Sequence, residues 1–155
     1  MADSRVVVVG VGNRQRGDDG AGPEVARRIA AGGVHEARES GGDPVALLDA
    51  WRAAGAAVLV DAVRSGAPAG TIHRFDASAV ALPEALAGAT STHALGLAGA
   101  IELGRALGQL PARVVVYGVE GERFEPGERL SPRVGAALGE LIERVEREAT
   151  TLAEG

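Results

Sequence analysis

The 155 residues suit one compact domain, with 46% apolar and 24% charged side chains in an ordinary globular balance. A net charge of −5 without a basic stripe excludes nucleic-acid binding, and no segment reaches the ~18 apolar residues of a membrane-spanning helix. All 16 basic residues are arginine and there is no cysteine, which excludes a lysine Schiff base, a phosphate-loop lysine, a disulfide and thiolate chemistry.

The opening Met-Ala-Asp-Ser-Arg leads into only a short apolar run, so a soluble, cytoplasmic protein is expected. Residues 5–11 read as a strand whose continuous valines predict burial on both sheet faces. A helix follows from near Asp19 to residue 31, with Pro23 tolerated in its first turn. Residues 34–39 form the next candidate strand. Asp43 as N-cap and Pro44 at the first helical position open a helix that runs to about residue 54. Residues 57–63, AVLVDAV, make a second doubly buried strand with Asp61 toward its carboxyl end.

Residues 71–76, TIHRFD, alternate in polarity after the turn residues SGAPAG, which predicts an edge or antiparallel strand. Residues 92–107 place apolar side chains at helical spacing, and residues 113–119 are the last strand. Ser131 caps a final helix, with Pro132 at its first position, that extends to about residue 148. Alternating strands and helices with no internal repeat imply a single α/β domain over residues 1–155, an open sheet with helices on both faces. Ligands of such sheets collect at the carboxyl ends of strands, here residues 10–19, 61–65 and 119–122.

The first of these exits, GVGNRQRGDDGAG, fails both phosphate templates. Gln15 stands where a dinucleotide fingerprint needs its third glycine, and a P-loop is impossible without lysine. Asp18 and Asp19 at the mouth of a helix are first read as caps. One acid suffices for that role, which leaves the other available. Asp61 at a buried strand end is costly unless paired, whether with loop amides, Arg64 or a ligand. His35 and His73 read as ordinary structural or surface residues. His93, in TSTHALGL, opens a helix beside the caps Ser91 or Thr92, and the positive helix end favours the neutral imidazole that a metal ligand or base requires. One acid of the Asp18–Asp19 pair, Asp61 and His93 together form a plausible divalent-metal set with open positions for water or substrate. No G-x-S-x-G elbow is present. Arg14 and Arg16 are either carboxylate clamps or solvated loop residues. The charged loop VEGERFEPGERLSP forms a rim beyond the last strand, with Glu120 at the sheet end.

The segments VVVGVGNRQRGDDGAG, LVDAVRSGAPAGTIHRFD, STHALGLAGAIELG and VVVYGVEGERFEPGERLSP together resemble the hydrogenase maturation endopeptidases, which process the large subunit of nickel–iron hydrogenases. The likeness keeps the family's order over nearly the whole chain. It implies a three-layer α/β/α sandwich with a mostly parallel five-stranded sheet, one strand antiparallel. It also implies Asp19, Asp61 and His93 as the metal and catalytic set, with Asp18 as cap and Gly12, Asn13, Asp18 and Glu120 as substrate-binding or supporting residues. The implied reaction removes a C-terminal extension from the hydrogenase large-subunit precursor after nickel insertion, with water, activated at the metal or by a carboxylate, attacking the scissile carbonyl. Nickel arrives with the substrate and no organic cofactor is expected. A non-proteolytic nickel-binding chaperone would carry the same residues, whereas a small-molecule hydrolase or nucleotide enzyme would not depend on Asp61 and His93.

Overall fold

The computed structural model describes residues 5–81 and 96–155. The valine run forms β1 (Val6–Val11), and a four-residue 3-10 turn, Gly17–Gly20, leads from it into α1 (Ala21–Gly32). Then come β2 (Glu36–Ser40), α2 (Pro44–Ala50), β3 (Ala56–Val63) and β4 (Ile72–Asp76). The chain continues with α3 (Gly96–Leu107), β5 (Arg113–Glu120) and α4 (Pro132–Glu154).

The sheet order is β2-β1-β3-β5-β4, with every neighbouring pair parallel except β4 against β5. This is the mostly parallel five-stranded sheet implied by the sequence, and the alternating segment TIHRFD is its antiparallel edge. Even-numbered β1 and β3 residues (Val8, Val58, Val60) and odd β5 residues (Val115, Tyr117, Val119) pack with α1 and α4. The opposite parity (Val7, Val9, Val11, Ala57, Leu59, Val114, Val116) packs with α2 and α3, so both sheet faces are covered.

Some boundaries depart from the local signals. Asp43 does cap α2, accepting a hydrogen bond from the Val45 amide at 2.9 Å. However, the helix stops at Ala50 rather than near residue 54. There the chain turns so that Trp51 can bury completely and donate its indole N–H to the Gln109 carbonyl at 3.1 Å. α4 outruns its expected end because Leu141, Val145, Ala149 and Leu152 prolong its buried stripe at helical spacing. The helix expected over residues 92–107 is seen from Gly96 onward, and residues 92–95 lie outside the described residues.

From β1 the chain crosses to β2 on one side, and from β2 it returns to β3 on the other. The carboxyl ends of β1 and β3 therefore flank the topological switch point, where open α/β sheets bind their ligands. Val11 and Asp61 are register partners at that point.

Candidate functional site

The turn off β1 depends on glycine at close quarters. Gly12 has φ 144°, and a methyl group there would overlap the Asp19 carbonyl oxygen. A methyl on Gly22 would come 2.5 Å from the carbonyl oxygens of both Val11 and Val60, so α1 starts tight against the switch point. This packing folds the 3-10 turn back over β1 and lays the Asp19 carboxylate against the backbone of Gly12 and Asn13. The Asn13 amide donates to Asp19 Oδ2 at 2.9 Å, and Asp19 is only 3% exposed.

Its neighbour Asp18 turns the other way and is completely buried. Its Oδ2 accepts from the amides of Glu122 at 2.8 Å and Arg123 at 3.0 Å, and from the Ser131 hydroxyl at 2.9 Å. Its Oδ1 accepts from the Ser131 amide at 2.6 Å. Asp18, expected as the cap of the first helix, therefore spends its carboxylate on donors outside that helix. Asp18 instead ties the 3-10 turn to the loop after β5 and places its charge at the N-terminus of α4. The Ser131 hydroxyl, expected to cap α4, is spent on Asp18. Gly121 permits this tie, because a methyl there would lie 2.8 Å from Asp18 Cβ.

Asp61 lies within β3, at 1% exposure, and projects toward the α2/α3 layer. Neither carboxylate oxygen has a hydrogen-bond partner among the described residues. Arg64, an obvious counter-ion in the sequence, instead stacks its guanidinium 4.3 Å above the Phe124 ring. Burial, and then the charge of nearby Asp19, push the Asp61 carboxyl well above the usual carboxylate range. The two acids of the predicted set thus lie close enough at the switch point for the charge of one to act on the other, Asp19 anchored to backbone and Asp61 without a side-chain hydrogen bond among the described residues.

Glu120, at the end of β5, is also 1% exposed but is well satisfied. Both its oxygens accept from the Ser65 amide at 3.2 Å, and Oε1 also engages the Ser65 hydroxyl and, at 3.0 Å, His73 Nε2. Sequence reasoning placed Glu120 at the sheet end but missed Ser65 and His73, whose relation to it depends on strand register. His93 lies outside the described residues. Arg14 is held by Glu39 at 2.7 Å and Glu24 at 3.4 Å, and Arg16 donates to the Phe124 carbonyl at 3.4 Å. A cleft of about 510 Å³ opens beside this loop, lined by residues 13–16 and 126–128.

A family model described as hydrogenase maturation protease matches residues 23–148. The chain belongs to that family. Among solved structures, it resembles the NiFe hydrogenase maturation protease HybD from Thermococcus kodakarensis at 27% identity and a TM-score of 0.76, covering 94% of this chain and 99% of that one. It is also similar to the hydrogenase maturating endopeptidase HybD from E. coli, at 25% identity and a TM-score of 0.73 over 91% of this chain and 89% of that one. The NiFe hydrogenase maturation protease HycI from Thermococcus kodakarensis KOD1 matches at 28% identity and a TM-score of 0.62, covering 97% and 91%. No curated protein sequence matches the chain. The matched region contains Asp61, His93 and Glu120, whereas Gly12, Asn13, Asp18 and Asp19 of this hydrogenase maturation protease precede it.

Proposed function

We propose that this protein removes the C-terminal extension of a nickel–iron hydrogenase large-subunit precursor after nickel insertion, and that it reads the nickel carried by that substrate through Asp19, Asp61 and His93. The observation that carries this reading is the Asp61 carboxylate, buried and without a partner among the described residues, beside a second buried acid. Two such charges in a low-dielectric pocket favour a divalent cation as counter-ion. Two carboxylates and an imidazole suit a borderline ion such as nickel while leaving positions for the substrate's own ligands. When bound, the nickel supplies positive charge next to the scissile carbonyl.

The chain's own residues supply orientation. The Asn13 amide fixes one oxygen of Asp19, and the Asp18 tie fixes the turn that carries it. A helix that leads into a parallel strand starts at the sheet's carboxyl edge, so Gly96 at the head of α3 stands at the edge where Asp61 lies. His93 comes three residues before Gly96 in the sequence. The partner is the precursor and the compartment is the cytoplasm, in keeping with the acidic chain and with no described helix long and apolar enough to cross a membrane.

The test is incubation of nickel-loaded precursor with the wild-type protein and with Asp19→Ala, Asp61→Ala and His93→Ala, followed by intact-mass measurement. Loss of the tail mass with wild type alone is the expected result. Stable binding with no mass change would replace the peptidase with a nickel-binding chaperone. Undiminished processing by all three variants would reject the site.

A further inference from the structure

Strand register aligns three residues that are far apart in sequence. Asp61 pairs with Gly118 between β3 and β5, and Gly118 pairs with His73 between β5 and β4. Register partners on adjacent strands project to the same face, so Asp61 and His73 look toward the α2/α3 layer from either side of a position without a side chain. Two strand spacings separate their backbones by about 10 Å, with β5 between them. A methyl on Gly118 would come 3.1 Å from Val63 Cγ1, so a larger residue there would crowd this row.

The imidazole is held in a definite way. His73 Nε2 lies 3.0 Å from Glu120 Oε1, and the Ser65 amide and hydroxyl occupy the same carboxylate. Glu120 is 1% exposed and fully engaged, so it does not itself meet a substrate, whereas the His73 side chain is 22% exposed. A carboxylate on Nε2 sets the ring's orientation and places the acceptor lone pair on Nδ1. Nδ1 has no hydrogen-bond partner among the described residues. It is a prepared acceptor at the edge of the row that begins with Asp61.

We propose that His73, oriented by Glu120, is a substrate-contacting residue whose Nδ1 accepts a hydrogen bond from a backbone N–H of the precursor beside the scissile bond, on the side away from Asp61. The assignment rests on the peptidase reading above. The ligand class is a peptide backbone, because the imidazole held by Glu120 presents one uncharged acceptor, which suits a backbone N–H. Glu120 and Ser65 are positioning residues that act through the imidazole.

The experiment is steady-state cleavage of nickel-loaded precursor by full-length wild type, His73→Ala and Glu120→Gln, with thermal unfolding of each protein and its shift on adding nickel alone. His73→Ala is expected to raise KM about tenfold, the size of one lost hydrogen bond, with kcat within about twofold of wild type. Its nickel-induced thermal shift should be unchanged, and added imidazole should recover part of the KM. Glu120→Gln should raise KM in the same direction without imidazole recovery, since its ring is still present but misdirected. A His73→Ala protein that cleaves with wild-type KM overturns the assignment. So does a deficit that follows lowered thermal stability and ignores imidazole. If the wild type leaves the precursor uncut, the peptidase reading fails along with this one. If wild type and His73→Ala cut equally well, only the His73 assignment fails.

Discussion

Asp61→Asn is expected to stabilise the cation-free protein while abolishing its activity. In the unfolded chain Asp61 titrates near its ordinary value of 3.8, whereas in the folded chain burial and Asp19 raise it well above that. Between those two values the folded protein holds a proton that the unfolded chain has released. Stability therefore falls as pH rises from about 4 through the raised folded value, and levels off beyond it. Asparagine at this position carries no charge to bury, so this loss disappears. A buried polar group without a partner costs about 1–3 kcal/mol, and more when charged. The amide of asparagine keeps part of that cost, which leaves a net gain of about 1–2 kcal/mol at pH 7. For a chain of this size that is roughly 2–8 °C in Tm. The assay is urea denaturation in chelator at pH 4, 6 and 8, with the variant's advantage growing across the series. Adding nickel at about 100 times its Kd should then stabilise wild type by about 2.7 kcal/mol and leave Asp61→Asn unmoved. The reasoning fails if Asp61→Asn is less stable than wild type at pH 8 in chelator, or if the difference between them does not change with pH.

Asp18→Asn should cost about 2–4 kcal/mol in denaturant unfolding, because an amide opposes one of the N–H groups that the carboxylate accepts. Ser131→Ala, which removes one of those bonds, should cost only about 1 kcal/mol. Gly12→Ala must displace the Asp19 carbonyl, so it should lose about 1–3 kcal/mol of stability together with the nickel-induced thermal shift. Arg74→Ala is the remote control. Arg74 is half-exposed and pairs with Glu148 at 2.7 Å, so its loss should cost less than about 1 kcal/mol and leave precursor processing at the wild-type rate.

Most of the fold was legible because its causes are local. Unbroken valines can only be a strand buried on both faces, Asp43-Pro44 can start a helix but not continue one, and TIHRFD alternates as an edge strand must. The same logic brought out Asp61, since an acid inside a buried apolar run needs a reason. It could not end α2, because Trp51 leaves the helix to reach Gln109, 58 residues away. Nor could it see His73 as a neighbour of the site, because that relation exists only once β3, β5 and β4 are in register.

Asp18 and Asp19 make the division plainest. They are chemically identical and adjacent, so sequence could establish only that the turn carries more acid than one helix start requires. What separates them is distance along the chain: Asp18 is claimed by donors 104 to 113 residues away, while Asp19 rests on an amide six residues back and its charge acts on Asp61. Local patterns set which residues form strands, turns and caps. The partner of each carboxylate was decided only by the tertiary structure, because a buried charge settles on whichever donors the folded chain brings to it.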